Sequence, residues 1–78
     1  MCGIIGINSS RPVSSTIINS LKKLEYRGYD SAGIATLSKN EINEVKSEGR
    51  VDNLENNLLV KKMEGTIGIG HVRWATHG

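Results

Sequence analysis

The hydrophobic positions of the first 25 residues change period once. Residues 2–7, CGIIGI, are a short apolar run of isoleucines and glycines bounded by Asn8, Ser9, Ser10 and Pro12, which predicts a buried first strand ended by turn formers. Val13, Ile17, Ile18, Leu21 and Leu24 then recur along one side of a 3.6-residue period, with Lys22, Lys23 and Glu25 outside it. Pro12 stands where a helix can begin, because its missing N–H costs nothing in the first turn. Gly28 is suited to stop that helix.

The next stretch reads as extended. SAGIATLS at 31–38 is small and β-prone, and Lys39 with Asn40 can join it tightly to a second extended run at 41–48, which predicts an antiparallel hairpin. Asp52 with Glu55 three residues later reads as a variant capping box for a second helix. Val51, Leu54, Leu58 and Leu59 supply its apolar side and Gly65 closes it. A glycine-punctuated strand is expected at 66–72 and a polar loop at 73–78. The order strand, helix, strand, strand, helix, strand predicts an α/β layered domain, of α+β type, rather than a bundle or a barrel. No linker or repeat interrupts it.

Composition changes this picture in one respect. With 78 residues, no Phe, one Trp and two Tyr, the chain buries only about 60% of its unfolded surface. Its single cysteine forms no internal disulfide. Marginal stability is expected, and the chain reads as part of a larger domain. The last strand is accordingly expected to lack sheet neighbours and to show weak amide protection. The net charge is only +2, and the pairs Lys22–Lys23 and Lys61–Lys62 stand far apart, each readable as the solvated side of a helix, so nucleic-acid binding has little support. No run approaches the roughly 18 apolar residues of a membrane span. A soluble protein of a reducing, cytoplasmic compartment is the expectation, with no membrane partner.

The candidate chemistry begins at the position of the cysteine. A small residue after Met1 permits removal of the initiator, which makes Cys2 the N-terminal residue. Its thiol is a nucleophile as thiolate, and its own α-amine, of ordinary pKa about 7.7–8.0, can take the proton. The plain alternative, a small hydrophobe at the head of a strand, stands at even weight from position alone. Gly3 and Gly6 allow close backbone approach around that terminus. Arg73 follows an apolar strand beside Trp74, Thr76 and His77; its guanidinium matches a carboxylate bidentately, although a solvated arginine is the commoner state of an isolated one. His71 and His77 are poorly spaced for a metal, so no metal and no cofactor are expected. The glycines of 68–73 lack the third glycine of a dinucleotide fingerprint and the βαβ continuation it requires. Arg27 and Asp30 can pair to shape a turn.

Three segments, CGIIGI at 2–7, EYRGYDSAGIA at 25–35 and GHVRWATHG at 70–78, resemble the glutaminase domain of the class II glutamine amidotransferases, which are N-terminal-nucleophile hydrolases. Tyr26, Tyr29, Trp74 and His77 resemble the hexosamine-forming branch more than the purine amidophosphoribosyltransferases, which typically have HRGQDSAG and RYSTAG there. The resemblance covers essentially the whole chain and the first part of the family's domain. It implies a fragment of the four-layer αββα fold, with no sugar-phosphate isomerase domain within these 78 residues.

The resemblance also implies roles. Cys2 is implied as the nucleophile on the side-chain amide of glutamine, through a γ-glutamyl thioester. Arg73 is implied to bind the α-carboxylate of glutamine with help from Thr76 and His77, and Trp74 to belong to the loop over the substrate. Arg27 is implied to position the terminal Cys, with Gly3 in support. The family's Asn-Gly oxyanion pair and the Asp that holds the substrate amine have no counterpart in these residues. One lost oxyanion donor typically costs about 100-fold to 1000-fold in rate, so the chain unaided is expected to be an incompetent glutaminase. A partner polypeptide carrying the remainder of the glutaminase and isomerase domains is the expected complement. A non-catalytic remnant or interaction fragment is the alternative.

Overall fold

The computed structural model describes residues 3–25 and 31–73. Its elements are β1 (Gly3–Asn8), α1 (Ser14–Leu24), β2 (Ser31–Ser38), β3 (Glu41–Glu48), α2 (Val51–Glu55), α3 (Leu58–Lys61) and β4 (Ile67–Arg73). The strands form one antiparallel sheet in the order β1-β4-β2-β3, and the helices pack on one of its faces. The fold is α+β, with one helical layer and one sheet among the described residues.

The hairpin is as the sequence pattern predicts. β2 and β3 pair from Ser31 opposite Glu48 to Ser38 opposite Glu41, and the connecting Lys39 and Asn40 have φ of 51° and 66°. Positive φ at both central residues is the type I′ geometry, whose twist matches that of the flanking strands.

Helix α1 begins at Ser14, two residues after Pro12, and buries Ile17, Ile18 and Leu21. Val13, although an apolar member of the helical face, acts as the N-cap, and its N–H donates to the Gly65 carbonyl at 3.0 Å. Ser9 N–H similarly donates to Thr66 at 2.8 Å, so the β1–α1 connection is pinned to the one leading into β4. The helix ends at Leu24, ahead of Gly28, which lies outside the described residues.

The single second helix expected from the sequence is two short ones. Asn57 accepts from Leu59 N–H through its side chain at 2.8 Å, which caps α3 and breaks the run after Glu55. Val51, Leu54 and Val60 are buried, but Leu58 and Leu59 are exposed, so the expected apolar side is only half correct. Asp52 is not the cap: α2 starts at Val51 behind Arg50. Gly65 does not close a helix either. It is buried in the connection to β4, where a Cβ would lie 2.7 Å from the Leu37 carbonyl oxygen.

β4 spans 67–73 rather than 66–72, and it is not a strand short of neighbours. It pairs with β1 on one side and β2 on the other, which places it inside the sheet and overturns the expectation of weak protection. Gly68, Gly70 and Val72 face α1. A Cβ on Gly68 would lie 2.9 Å from Ile17 Cδ1, and one on Gly70 would overlap Ile17 Cγ2 and lie 3.1 Å from Leu21 Cδ1. The two glycines therefore let α1 lie directly on the strand backbone. Ile17, Leu21, Ile34, Val51 and Leu54 fill the space between the layers, each burial contributing roughly 1.5–3 kcal/mol of transfer free energy.

The opposite face of the sheet carries no layer among the described residues. Ile4 (78% exposed), Ile69 (57%), Ile67, Leu37 and Ile42 stand on it, around Gly6, Gly33 and Ala35. An apolar sheet face of this kind is an interface pattern, because an aligned second sheet would bury it.

Candidate functional site

The described ends of the three motif segments meet at one end of the sheet. Gly3, the first described residue of β1, pairs with Val72. Val72 pairs on its other side with Ala32, and Arg73 pairs with Ser31, the first residue of β2. Residues 3, 31 and 73 are thus gathered across three adjacent strands, although they are far apart in sequence. Antiparallel pairing causes this: β4 runs opposite to both β1 and β2, so its C-terminal end meets both of their N-terminal ends.

Steric fit is tight there. A Cβ on Gly3 would lie 2.8 Å from Leu24 Cδ1 and 3.3 Å from Val72 Cγ2, so a side chain at the start of β1 would displace the tip of Leu24 in the last turn of α1. A Cβ on Gly33 would overlap the His71 ring at Nε2. The imidazole, half-buried, therefore covers the backbone of β2 on the open face, two positions from Arg73. Arg73 is exposed on that same face and makes no ion pair with another described residue.

Of the predicted site residues, the structure thus brings Gly3 and Arg73 to one place. Cys2, Arg27, Trp74, Thr76 and His77 lie outside the described residues, as does the expected pair of Arg27 with Asp30. No cluster able to hold a metal ion is found among the described residues. No described helix is long and apolar enough to cross a membrane.

Sequence reading missed Glu25. Its side chain is only 3% exposed, one carboxylate oxygen accepts from Val51 N–H at 2.7 Å, and the other lies 3.4 Å from Arg50 Nη2. It caps α2 from outside the helix, which is why Arg50, lacking an acceptor, can occupy the N-cap position. A charged residue next to the apolar stripe of α1 gave no signal of this, since the partner is 26 positions away. Lys22, read as solvated, is also engaged: its Nζ lies 2.6 Å from Glu55 and 3.7 Å from Asp52. The hydrogen bond to Glu55 and the nearby carboxylates hold its pKa above the ordinary lysine value of 10.5, against a smaller opposing effect of burial.

No protein-family model matches the chain. Curated relatives do. Over all 78 residues the chain is 54% identical to a glutamine–fructose-6-phosphate aminotransferase (isomerizing) of Bradyrhizobium diazoefficiens and 53% identical to one of Rhizobium meliloti. It is 55% identical to that of Clostridium acetobutylicum. In each case the chain spans 13% of the relative's length. Among solved structures it is similar to the allosteric regulatory enzyme of purine biosynthesis, with a TM-score of 0.84 and 28% identity over 97% of this chain and 16% of the other. It is likewise similar to the glutamine phosphoribosylpyrophosphate amidotransferase of B. subtilis, with a TM-score of 0.81 and 25% identity over 99% of this chain and 17% of the other.

Proposed function

From a chain homologous along its whole length to the N-terminal region of the glutamine–fructose-6-phosphate aminotransferases, and so to part of a class II amidotransferase domain, we propose the nucleophile-bearing part of a glutaminase that supplies ammonia for hexosamine synthesis. The observation that supports this reading best is the register. Gly3, Ser31 and Arg73 adjoin across three strands, and each is bonded directly to a motif segment whose residues the chemistry needs. Cys2 is one peptide bond from Gly3, about 3.8 Å between Cα atoms.

The reaction follows from these residues. The Cys2 thiol gives its proton to its own α-amine, and the thiolate attacks the side-chain carbonyl carbon of glutamine. The tetrahedral adduct collapses as the C–N bond breaks. The leaving nitrogen takes the proton held by the α-amine and departs as ammonia, which leaves a γ-glutamyl thioester. Water, deprotonated by the same amine, cleaves the thioester to glutamate and restores the thiol. Arg73 binds the substrate α-carboxylate bidentately, with Thr76 and His77 beside it. Trp74 covers the bound glutamine, and Arg27 and Gly3 hold the first residue in place. No cofactor takes part.

The chain is 13% of its relatives' length, and the open apolar face of the sheet supports the view that the chain works with the remainder of such a protein, on the same or a separate polypeptide. A second reading, a fragment that only associates with that remainder, is favoured by the same face. Two measurements separate them. Intact mass reports whether Met1 is removed, without which the α-amine is an amide and no base. Ammonia release from glutamine is then compared between the 78-residue chain, alone and together with the remainder of such a protein, and its Cys2→Ala variant in the same two settings. Release that Cys2→Ala abolishes supports the glutaminase; equal release with and without the thiol rejects it.

A further inference from the structure

The face of the sheet turned away from the helices has a profile that the register defines row by row. Cross-strand neighbours share a face. Asn8, Ile67, Leu37 and Ile42 therefore form one row, Gly6, Ile69, Ala35 and Glu44 the next, and Ile4, His71, Gly33 and Lys46 the third. Ile4, Ile42 and Ile69 are each more than half exposed. In the middle row, Ile69 on β4 stands up beside the small Ala35 on β2. An open, almost wholly apolar trough of about 200 Å³ lies among Ala35, Leu37, Ile42, Ile67 and Ile69. One row along, the His71 ring already fills the hollow above Gly33, which levels the face there. Charge in these rows is confined to one rim, where Glu44 and Lys46 of β3 stand 3.9 Å apart; the opposite rim, on β1, offers Ile4, Gly6 and Asn8 and carries none.

We propose that in solutions of the 78-residue chain this face is covered by a second copy, about a two-fold axis that runs parallel to the strands between β4 and β2. The inference goes beyond the function proposed above and does not depend on it. Such an axis keeps every row at its own height and exchanges the strands, so β4 lies over β2 of the second copy and β1 over its β3. Ile69 of each copy then enters the trough beside Ala35 of the other, the bulky position of one sheet meeting the small position of its mate. Lys46 covers Ile4 of the second copy with its aliphatic stem and keeps its ammonium group at the rim, and Glu44 lies over Gly6. No two like charges meet in these rows. The other two-fold axis in the same plane, across the strands, reverses the order of the rows. It sets Ile67 against Arg73 and Ala35 against Gly33, which desolvates a guanidinium opposite an aliphatic side chain and leaves the trough empty, both unfavourable. With the first axis the layers run helix, sheet, sheet, helix, the sheets about 10 Å apart. Four strands about 4.8 Å apart and six residue steps of about 3.3 Å give each copy a face of roughly 400 Å². A stable interface takes about 800 Å² from each partner. The association is therefore weak and reversible, and below about 10 µM the chain is a single copy.

The test is sedimentation equilibrium of the 78-residue chain between about 10 µM and 1 mM, with far-UV circular dichroism as the check on folding. One copy is expected to give way to two, with a Kd on the order of 100 µM. Ile69→Ala, which withdraws the central anchor, and Ala35→Ile, which fills the trough, are each expected to raise Kd at least about tenfold. The double variant exchanges the large and small positions, within one sheet as well as between copies, and is expected to return Kd to within about threefold of wild type. Charge reads the register separately. Ile4→Lys faces Lys46 of the second copy and is expected to bind itself at least about threefold more weakly than Ile4→Glu; with Lys46→Glu added to both, that order reverses. If Ala35→Ile does not fold, Ile69→Ala and the charge pairs decide. A single copy up to 1 mM overturns the proposal. So do assemblies larger than two, which strand addition along the edge of β1 would give, a Kd unmoved by Ile69→Ala, and an order of the Ile4 variants that does not reverse. A chain that folds only as it pairs supports the proposal, and one unfolded at every concentration overturns it.

Discussion

Of the described glycines of the sheet, Gly70 is the one where an added Cβ would come nearest to the helical layer, at Ile17, and the energies of these two positions are expected to be strongly coupled. Ala at position 70 puts a methyl group where Ile17 Cγ2 stands and 3.1 Å from Leu21 Cδ1. Ile17 and Leu21 are both fully buried, so neither can swing into solvent. Overpacking of this kind costs about 1–3 kcal/mol. Against it, Ala restricts the unfolded chain more than Gly, which returns about 0.4–1 kcal/mol, so a net loss of about 1.5 kcal/mol is expected. At roughly 4–8 °C per kcal/mol for a domain of this size, the melting temperature falls by about 6–12 °C. Ile17→Ala alone costs about 2–5 kcal/mol through transfer and cavity terms. The double variant removes the clashing Cγ2 and part-fills the cavity with the new methyl, so it is expected to be more stable than the sum of the single losses by about 1 kcal/mol or more. Urea unfolding of the four proteins, followed by far-UV circular dichroism, closes the cycle. Additivity within about 0.5 kcal/mol, or a neutral Gly70→Ala, refutes the claim that these glycines exist to admit the helix.

Ile69→Ser on the open face is expected to change the stability of the 78-residue chain by less than about 0.5 kcal/mol, as exposed substitutions do, but to weaken its association with the remainder of such a protein; unchanged association would mean the face stays bare. Arg73→Ala, in the chain combined with the remainder of such a protein, removes a charged hydrogen-bond donor worth about 1.5–3 kcal/mol. KM for glutamine is expected to rise about tenfold to a hundredfold with a smaller change in kcat, and an unchanged KM excludes Arg73 from carboxylate binding. Because the Lys22 pKa is raised on folding, its contribution to stability is complete below the unfolded value of about 10.5 and is lost as pH rises through the folded value. Lys22→Met is therefore expected to flatten the stability profile above pH about 10.5 and leave its acid limb unchanged, as read by urea midpoints across pH.

How much of this was legible depends on whether an interaction is local. The hairpin was legible, because Lys39–Asn40 and the small, β-prone run before it act within a few residues. The α1 face was legible from its period, yet the start at Ser14 was not, because the bond from Val13 N–H to Gly65 that sets it crosses 52 positions. The break between α2 and α3 carried a local sign in Asn57, outweighed by the apolar spacing of Leu58 and Leu59. The interior place of β4 was illegible, since strand order is decided by pairing across the chain and the glycine pattern of 67–70 is explained only once Ile17 lies on it. At the candidate site, motif resemblance pointed to Arg73 and Gly3, and the sheet register brings them together. Glu25 left no trace in the pattern because its partners, Arg50 and Val51, belong to another helix.

The strand order has a consequence for the making of the protein. β1 touches the sheet only through β4, so Gly3 must wait for Val72 and Asn8 for Ile67. At ribosomal speeds of 5–20 residues per second that delay is roughly 3–14 s, during which the β2–β3 hairpin can close but the head of the chain has no strand to lie against. The head of the chain is thereby left unpaired for the whole of that interval, and its pairing is timed by the arrival of the strand that ends in Arg73.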